Sequence, residues 1–382
     1  QRQMCIRDSL NVPNLRFPEF QGEWKEERLA DIADLYKGTG ISKDQLSDDG
    51  EPCILYGELY TKYKSETIRE VISKTNIDNT KLVRSKANDV IIPCSGETAE
   101  DIATARCVLN GNILLGGDLN IIRLYGYDGS FMSYQLNGKR KYDIAKVAQG
   151  VSVVHLYGDH LKGVKTYNPC LEEQKKIAKL LSLLDERMAT QNKIIDKLQS
   201  LIKGIRHDIF KDIQGEALAL SNIADIYQPQ TISSSDLTTE GYWVYGANGI
   251  IGKYKEYNHE TEQICITCRG NTCGTVNYTQ PKVWITGNSM VINTDKYQRQ
   301  VNKRFLFHYL SSYNFKSIVS GSGQPQIVRT PLEKTKVVLP TIEKQVRIAN
   351  SIDIVSEKIN TESLVLRLLE NQKQYLLRQM FI

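Results

Sequence analysis

Residues 171–210, LEEQKKIAKLLSLLDERMATQNKIIDKLQSLIKGIRHDIF, return almost position for position as residues 342–381, IEKQVRIANSIDIVSEKINTESLVLRLLENQKQYLLRQMF, at a constant offset of 171. Each copy follows a proline, Pro169 or Pro340, and each ends at a phenylalanine. A proline before the first turn and acidic residues within it are signals for the start of a helix. The repeat therefore predicts two related helices, each roughly 60 Å long at ~1.5 Å per residue.

Hydrophobic residues recur along both stretches with the heptad period of a coiled coil. The predicted a and d positions are Ile177, Leu181, Leu184, Met188, Gln191, Ile195, Leu198, Ile202, Ile205 and Ile209 in the first copy, and Ile348, Ile352, Val355, Ile359, Glu362, Leu366, Leu369, Lys373, Leu376 and Met380 in the second. Gln191 and Glu362 interrupt the same d position, as expected of two helices that fix each other's register. We therefore expect an antiparallel coiled coil, in which Lys373 at an a position marks a frayed or hydrated end.

Composition places the chain among ordinary soluble proteins and excludes the membrane-spanning class. It has 382 residues, 41% of them hydrophobic, and a formal net charge of +5, enough length for two or three domains. The sequence contains no run of about 18 apolar residues, so no membrane span is predicted. The scattered cysteines favour a reducing compartment, and hence the cytoplasm. The mild positive charge permits a polyanionic partner without requiring one.

The repeat extends beyond the helices. Residues 29–36 (LADIADLY) are echoed by residues 220–227 (LSNIADIY), Gly96 matches Gly270, and Gly150 matches Gly321. Between these points, short β-branched and aromatic runs alternate with Gly, Asn, Asp and Ser, which predicts α+β globules with short helices near residues 29–36 and 304–313. The expected order is a disordered tail or sequence remnant (1–9), a first globule (10–168), a helix (169–212), a second globule (213–339) and a second helix (340–382). The fold class is therefore α+β, with a pseudo-two-fold internal repeat.

The first globule carries most of its extra length in a basic segment at residues 60–86. Cations can neutralise phosphates, and interleaved tyrosines can pack on sugars or base edges. The plain alternative is a solvated loop with a chance excess of lysine. The predicted DNA contacts in this segment are Lys62, Lys64, Arg69, Lys81, Arg84 and Lys86.

A second polar set lies around glycine turns in the second globule. Its predicted DNA contacts are Lys253, Lys255, Arg269 and Asn271. Because the two sets occupy comparable places in a repeat, together they favour a DNA-binding function over a chance excess of charge.

No catalytic or metal-binding constellation stands out. Cys265 and Cys268, with Cys273 nearby, have part of a zinc spacing, but no fourth ligand completes it. Alternation of residues along a strand explains these cysteines better, so no metal site is predicted. The G-x-S-x-G and H-E-x-x-H motifs are missing, and Asn168-Pro169 runs into Cys170 rather than completing the N-P-P-Y motif of an amino-methyltransferase. The sequence therefore predicts a chain that is not itself an enzyme.

The helix openings PCLEEQKKIA (169–178) and PTIEKQVRIA (340–349) resemble the P-x-x-E-x-Q-x-x-I-A openings of the conserved helices in specificity subunits of type I restriction-modification systems. LRFPEFQGEW (15–24) is similar to the start of that family, and GSGQPQ (321–326) before Leu339-Pro340 is similar to the exit from a target recognition domain. The resemblance covers residues 15–382. Cys170, where a second proline is common, and Lys373 are its departures.

The resemblance implies that each globule is a target recognition domain, which reads one half of a bipartite, asymmetric double-stranded DNA site. It implies two methyltransferase subunits as partners, restriction subunits bound through them, and S-adenosylmethionine, ATP and Mg on those subunits rather than on this chain. The residues expected to hold the coil and support docking are Leu181, Leu184, Met188, Ile195, Leu198, Ile352, Val355, Ile359, Leu366 and Leu369.

A different class of function is also compatible with the pattern. A coiled-coil scaffold could carry globules that bind a protein or a carbohydrate. The two hypotheses differ in how steeply binding to DNA should fall with salt.

Overall fold

A computed structural model describes residues 11–78, 80–150, 153–247, 249–321 and 323–382. The predicted tail at residues 1–9 lies outside them. The chain divides into two compact units. Unit 1 comprises Gln1–Asn192 with Leu364–Ile382, and unit 2 comprises Lys193–Ser363.

The predicted long helices run over Leu171–Lys211 and Ile342–Gln379; they are α7 and α10 in chain order. Every predicted a and d residue is buried or partly buried, whereas residues between them, such as Leu183 and Ile354, are exposed. The heptad prediction is therefore confirmed.

The two helices pair antiparallel within each unit. In unit 1, Leu181 near the start of α7 shares a buried cluster with Leu376 and Met380 near the end of α10. In unit 2, Phe210 at the end of α7 packs in the cluster that contains Ala349 at the start of α10.

The globule of unit 1 mixes short strands and helices. Its strands are β1 (Lys25–Arg28), β2 (Ala33–Lys37), β3 (Leu46–Ser47), β4 (Glu51–Ile54), β5 (Thr67–Ile68), β6 (Ser73–Thr75), β7 (Asp89–Pro93), β8 (Ser95–Gly96), β9 (Arg106–Val108), β10 (Leu114–Leu115), β11 (Leu119–Leu124), β12 (Val154–His155) and β13 (Lys165–Asn168). Its helices are α1 (Leu29–Ile32), α2 (Glu58–Thr61), α3 (Ala99–Ile102), α4 (Gly129–Asn137), α5 (Lys141–Val147) and α6 (Gly158–Lys162).

The globule of unit 2 is built in the same way. Its strands are β14 (Glu216–Ala219), β15 (Asp225–Tyr227), β16 (Tyr242–Gly246), β17 (Gly249–Tyr254), β18 (Ile264–Thr267), β19 (Val276–Tyr278), β20 (Trp284–Ile285), β21 (Ser289–Asn293), β22 (Val319–Ser320), β23 (Gln326–Ile327) and β24 (Lys336–Leu339). Its helices are α8 (Lys303–Ser312) and α9 (Arg329–Glu333).

The sheet orders show the repeat. The main sheet of unit 1 runs β2-β11-β7-β9-β5, and that of unit 2 runs β15-β21-β18-β19. The order is the same except for β5, which pairs in parallel with β9 and belongs to the extra basic segment. In each globule the first strand pairs antiparallel with the last, β1 with β13 and β14 with β24. The α+β prediction is confirmed, and the added length builds an edge strand.

Of the two short helices predicted within the globules, one forms as expected and the other forms only in part. The helix expected near residues 304–313 is α8. The helix expected over residues 29–36 was wrong in its second half, because α1 ends at Ile32 and β2 then pairs with β11. Tyr36 lies opposite Ile121 in that pair, so sheet pairing overrides the local helical pattern.

No helix in the described part of the chain is long and apolar enough to cross a membrane.

Candidate nucleic-acid interface

A glutamine in each helix opening ties the helix to its globule. The Gln174 side chain donates to the Pro169 carbonyl (2.8 Å) and accepts from the Asp128 backbone N–H (2.9 Å). Asp128 in turn caps α4 by accepting from the backbone N–H of Phe131. Because the glutamine bridges the helix opening and the cap of α4, it sets the position of both.

Gln345 does the same in unit 2. It donates to the Pro340 carbonyl (2.9 Å) and accepts from the Asn302 backbone N–H (2.8 Å), and Asn302 caps α8. The glutamine of the quoted motif is therefore a positioning residue in both copies.

The phenylalanine that ends each repeat is an anchor. Phe381 lies 5.2 Å from Phe131 of α4, ring centroid to ring centroid, and also packs on Trp24. Phe210 lies 5.6 Å from Phe305 of α8. Each globule is thus anchored by the end of one long helix and by the opening of the other.

Lys373 is not at a frayed end, and that expectation was wrong. Its side chain is 9% exposed, and its Nζ lies 2.5 Å from Glu66 Oε2 and 2.6 Å from Asp185 Oδ1. Tyr134 and Ser65 donate to the other oxygen of Asp185, at 2.7 and 2.8 Å. Burial alone would lower the pKa of Lys373, but the two carboxylates raise it above its ordinary value. The lysine is therefore charged, and it joins α10, α7 and the segment that leads into β5.

Unit 2 has a partly buried cluster of different composition, in which His308 is fully buried and Arg304 is one-third exposed. The Arg304 guanidinium makes two bonds to Asp353 of α10, and Asp353 Oδ1 also lies 2.8 Å from His308 Nε2. Arg206 of α7 donates to His308 Nδ1 at 3.0 Å. Burial lowers the pKa of His308 to about 4. A neutral ring that donates from Nε2 and accepts at Nδ1 satisfies both contacts.

The two clusters occupy related places, because Tyr134 and His308 follow the caps of α4 and α8 by the same interval. Each joins both long helices to the globule, but through side chains of different types. The clusters therefore hold the unlike globules by unlike means.

The predicted basic set in unit 1 is partly engaged within the chain. Lys62 pairs with Glu58 at 2.7 Å, Arg69 with Glu186 of α7 at 2.7 Å, and Arg84 with Glu51 at 2.5 Å. The pair of Arg69 connects residues 60–86 to α7, whereas those of Lys62 and Arg84 lie within the globule. Lys64, Lys81 and Lys86 are exposed.

In the predicted set of unit 2, Lys253 is half-buried and the other three residues are exposed. Lys253 lies over the ring of the exposed Trp243, at 4.9 Å from its centroid, and Lys255 is exposed beside Glu256. Arg269 and Asn271 are exposed on the loop that follows β18. Lys253 and Trp243 lie on the hairpin of β16 and β17, which gives the surface both charge and an aromatic face.

Two of the three cysteines considered for zinc lie in the core of the sheet. Cys265 is 1% exposed and Cys268 is 2% exposed. Burial raises the pKa of both thiols, which favours the neutral form over the thiolate that zinc requires. Within the described ranges, no group of three or more His, Cys, Asp or Glu residues could hold a metal ion.

Of the ten residues proposed for the coil and for docking, Leu181, Ile195, Ile352 and Leu369 are buried and the other six are partly buried. Their role in docking stays a prediction. The exposed hydrophobic residues on the long helices are Leu183, Ile194, Leu201, Val346, Ile354, Leu364, Leu368 and Tyr375. Heptad periodicity points to such positions only indirectly, because they are the helix residues that lie outside the a and d positions.

The sequence matches a known protein family over both globules. Residues 21–200 and 208–370 match the family described as the type I restriction modification DNA specificity domain. The chain is 26% identical over 395 residues to the type I restriction enzyme MjaVIII specificity subunit of Methanocaldococcus jannaschii, covering 90% of this chain and 88% of that protein. It is 28% identical over 147 residues to the EcoprrI specificity subunit of Escherichia coli, covering 37% of this chain and 36% of that one.

Solved structures share the fold. The type I restriction-modification S subunit from M. genitalium superposes with a TM-score of 0.68 at 18% identity, covering 97% of this chain and 99% of that one. A chain from a structural study of complex assembly in a type I R-M system gives a TM-score of 0.55 at 15% identity, covering 95% and 98%. Together with the family match over both globules, these findings show that the chain belongs to the family of type I restriction-modification DNA specificity subunits.

Proposed function

We propose that this chain is a non-catalytic subunit in which each globule reads one half of a bipartite, asymmetric DNA site. The observation that carries the proposal is a fold built twice in one chain, with the same order of four strands in each main sheet and different exposed side chains. One frame with two sets of side chains suits two half-sites of different sequence.

Phosphate contact is assigned to Lys64, Lys81 and Lys86 of the first globule, which are exposed, and to Lys253 of the second, which is half-buried beside Trp243. Lys255 is already paired with Glu256 and contributes less. The pairs made by Lys62, Arg69 and Arg84 hold the segment in shape, so these three cations contribute less to binding.

The proposed partners are two methyltransferase subunits, with restriction subunits bound through them. These subunits, rather than this chain, would carry S-adenosylmethionine, ATP and Mg. The exposed hydrophobic residues of α7 and α10 support docking there, because exposed apolar side chains on a long helix suit a protein interface. The proposed location is the cytoplasm, where these partners and the DNA meet.

DNA binding by the complex of this chain with its cognate methyltransferase should weaken steeply as salt rises. Lys81→Gln with Lys86→Gln should reduce the slope of log K against log salt by about one for each phosphate that the complex no longer neutralises, with little change in sequence preference. Titration of a labelled duplex at several salt concentrations measures both quantities.

Lys25→Gln is the matched control, because Lys25 is exposed but already paired with Glu27; its slope should equal that of the wild type. Salt-independent binding, or preferential retention of a carbohydrate, would support the scaffold hypothesis instead. Turnover of S-adenosylmethionine by the pure chain would contradict the non-catalytic assignment.

A further inference from the structure

In both units, the loop that follows an inner strand of the main sheet, β7 or β18, is held by the same pattern of backbone hydrogen bonds. We call this pattern the shared frame. In unit 1, the Cys94 N–H donates to the Asp118 carbonyl (2.7 Å), and the Cys94 carbonyl accepts from the Leu156 N–H (2.9 Å). These bonds fix the loop after β7 between a turn of the sheet and strand β12. Ser95 then lies opposite His155 in the antiparallel pair of β8 and β12.

Unit 2 repeats these bonds at equivalent positions. The Cys268 N–H donates to the Asn288 carbonyl (3.1 Å), and the Cys268 carbonyl accepts from the Ile327 N–H (3.0 Å). Arg269 lies opposite Gln326 in an antiparallel bridge. The pairs Ser95–His155 and Arg269–Gln326 therefore occupy one position in a shared frame.

Glycines close the neighbouring hairpin in both copies. Gly150 and Gly321 have φ of +125° and +93°, and a Cβ at either would collide with a carbonyl oxygen, that of Val153 or of Gln324. The backbone is thus constrained at the matched points of both units, while the bridging side chains are free to differ.

These bridging side chains are accessible. His155, Arg269 and Gln326 are exposed, and Ser95 is half-buried. Ser95 also lines a cleft of about 610 Å³ with Tyr56 and other residues. Solvent-facing polar side chains on a rigid frame can meet a ligand without rearrangement of the backbone.

The chemistry of the two pairs is that of base recognition. Arginine can bond guanine O6 and N7 with two N–H groups, and glutamine can bond adenine N6 and N7. Ser95 Oγ lies 3.3 Å from His155 Nδ1, which leaves Nε2 as the second hydrogen-bonding atom of the ring. The two pairs therefore present different donor and acceptor patterns from one backbone position.

We propose that this cross-strand pair reads base edges in each half-site, Arg269 and Gln326 selecting purines in one and Ser95 and His155 selecting a different base in the other. The inference rests on the proposed function, and adds Ser95, His155 and Gln326 to the predicted DNA contacts, to which Arg269 already belongs. Base specificity then depends on both side chains of a pair, and exchange of the pair should transfer it from one globule to the other.

Exchange of the pair tests this. The variant Ser95→Arg with His155→Gln gives unit 1 the pair of unit 2, and Arg269→Ser with Gln326→His makes the reverse change. Each complex with the cognate methyltransferase is used to select duplexes from a library randomised over the recognition site. Each variant should change base preference by about tenfold at positions within one half-site only.

Gln298→His with Arg299→Ser is the matched control, because it makes the same types of change at exposed positions of unit 2 outside the frame; its selected motif should be that of the wild type. A wild-type motif from both exchanged variants overturns the inference and leaves the proposed function intact. A wild-type complex that selects no bipartite motif overturns the proposed function and the inference with it. Because the selection measures binding, a variant that methylates poorly still gives a motif.

Discussion

Replacement of Lys373 by methionine is expected to lower the free energy of unfolding by about 3–5 kcal/mol. Methionine has a similar length, so the loss comes mainly from charge. Without the ammonium, the carboxylates of Glu66 and Asp185 are left buried without their counter-ion. Urea unfolding followed by circular dichroism measures the change.

Lys358→Met on the same helix is the matched control, because the side chain of Lys358 is exposed, whereas that of Lys373 is buried. Its cost should be below about 0.5 kcal/mol. If Lys373→Met were as stable as the wild type, the buried cluster would not hold α10 to its globule.

The loss in Lys373→Met should shrink in acid. Burial already raises the pKa of Glu66 above 4.5, and removal of the lysine raises it further. The folded state then binds a proton that the unfolded state does not, so stability relative to the wild type recovers as pH falls from neutrality toward 4.5. The same unfolding experiment at several pH values shows this recovery.

Ile352→Asp should destabilise the chain by about 4 kcal/mol, because it removes buried apolar surface and places a carboxyl in the seam. Ile352 is fully buried at a predicted a position of α10. Thermal unfolding monitored by circular dichroism gives the shift in midpoint.

Ile354→Asp makes the same substitution two residues along, where the side chain is 68% exposed. It should change stability by no more than about 0.5 kcal/mol. Equal midpoints for the two variants would contradict the coiled-coil assignment of these positions.

The helices could be predicted because heptad periodicity is local, and it reported correctly which side of each helix is buried. The ion-pair partners of Lys373 could not be predicted in this way. Glu66 lies 307 residues from Lys373 in the chain, and nothing near the lysine in sequence indicates a carboxylate. From sequence, a lysine at an a position therefore suggested a frayed end of the coil. In the structure, its ion pairs join α10 to α7 and to the globule.

The structural role of the basic segment could not be predicted for a related reason. A count of cations in residues 60–86 does not reveal that Glu186, on a helix more than a hundred residues away, pairs with Arg69. The readout pair was missed because Ser95 and His155 are unremarkable in sequence. They meet only through strand pairing, and the signal that could have found them was the match of Gly150 with Gly321 around equivalent hairpins.

The two globules are proposed to read separate halves of the DNA site. This proposal is tested by replacing residues 20–165 with the equivalent globule of a family member of different specificity and sequencing the methylome of a host that expresses the chimera with its cognate methyltransferase. We expect a motif in which one half is new while the other half and the spacer length are unchanged. A motif altered in both halves would contradict the proposal.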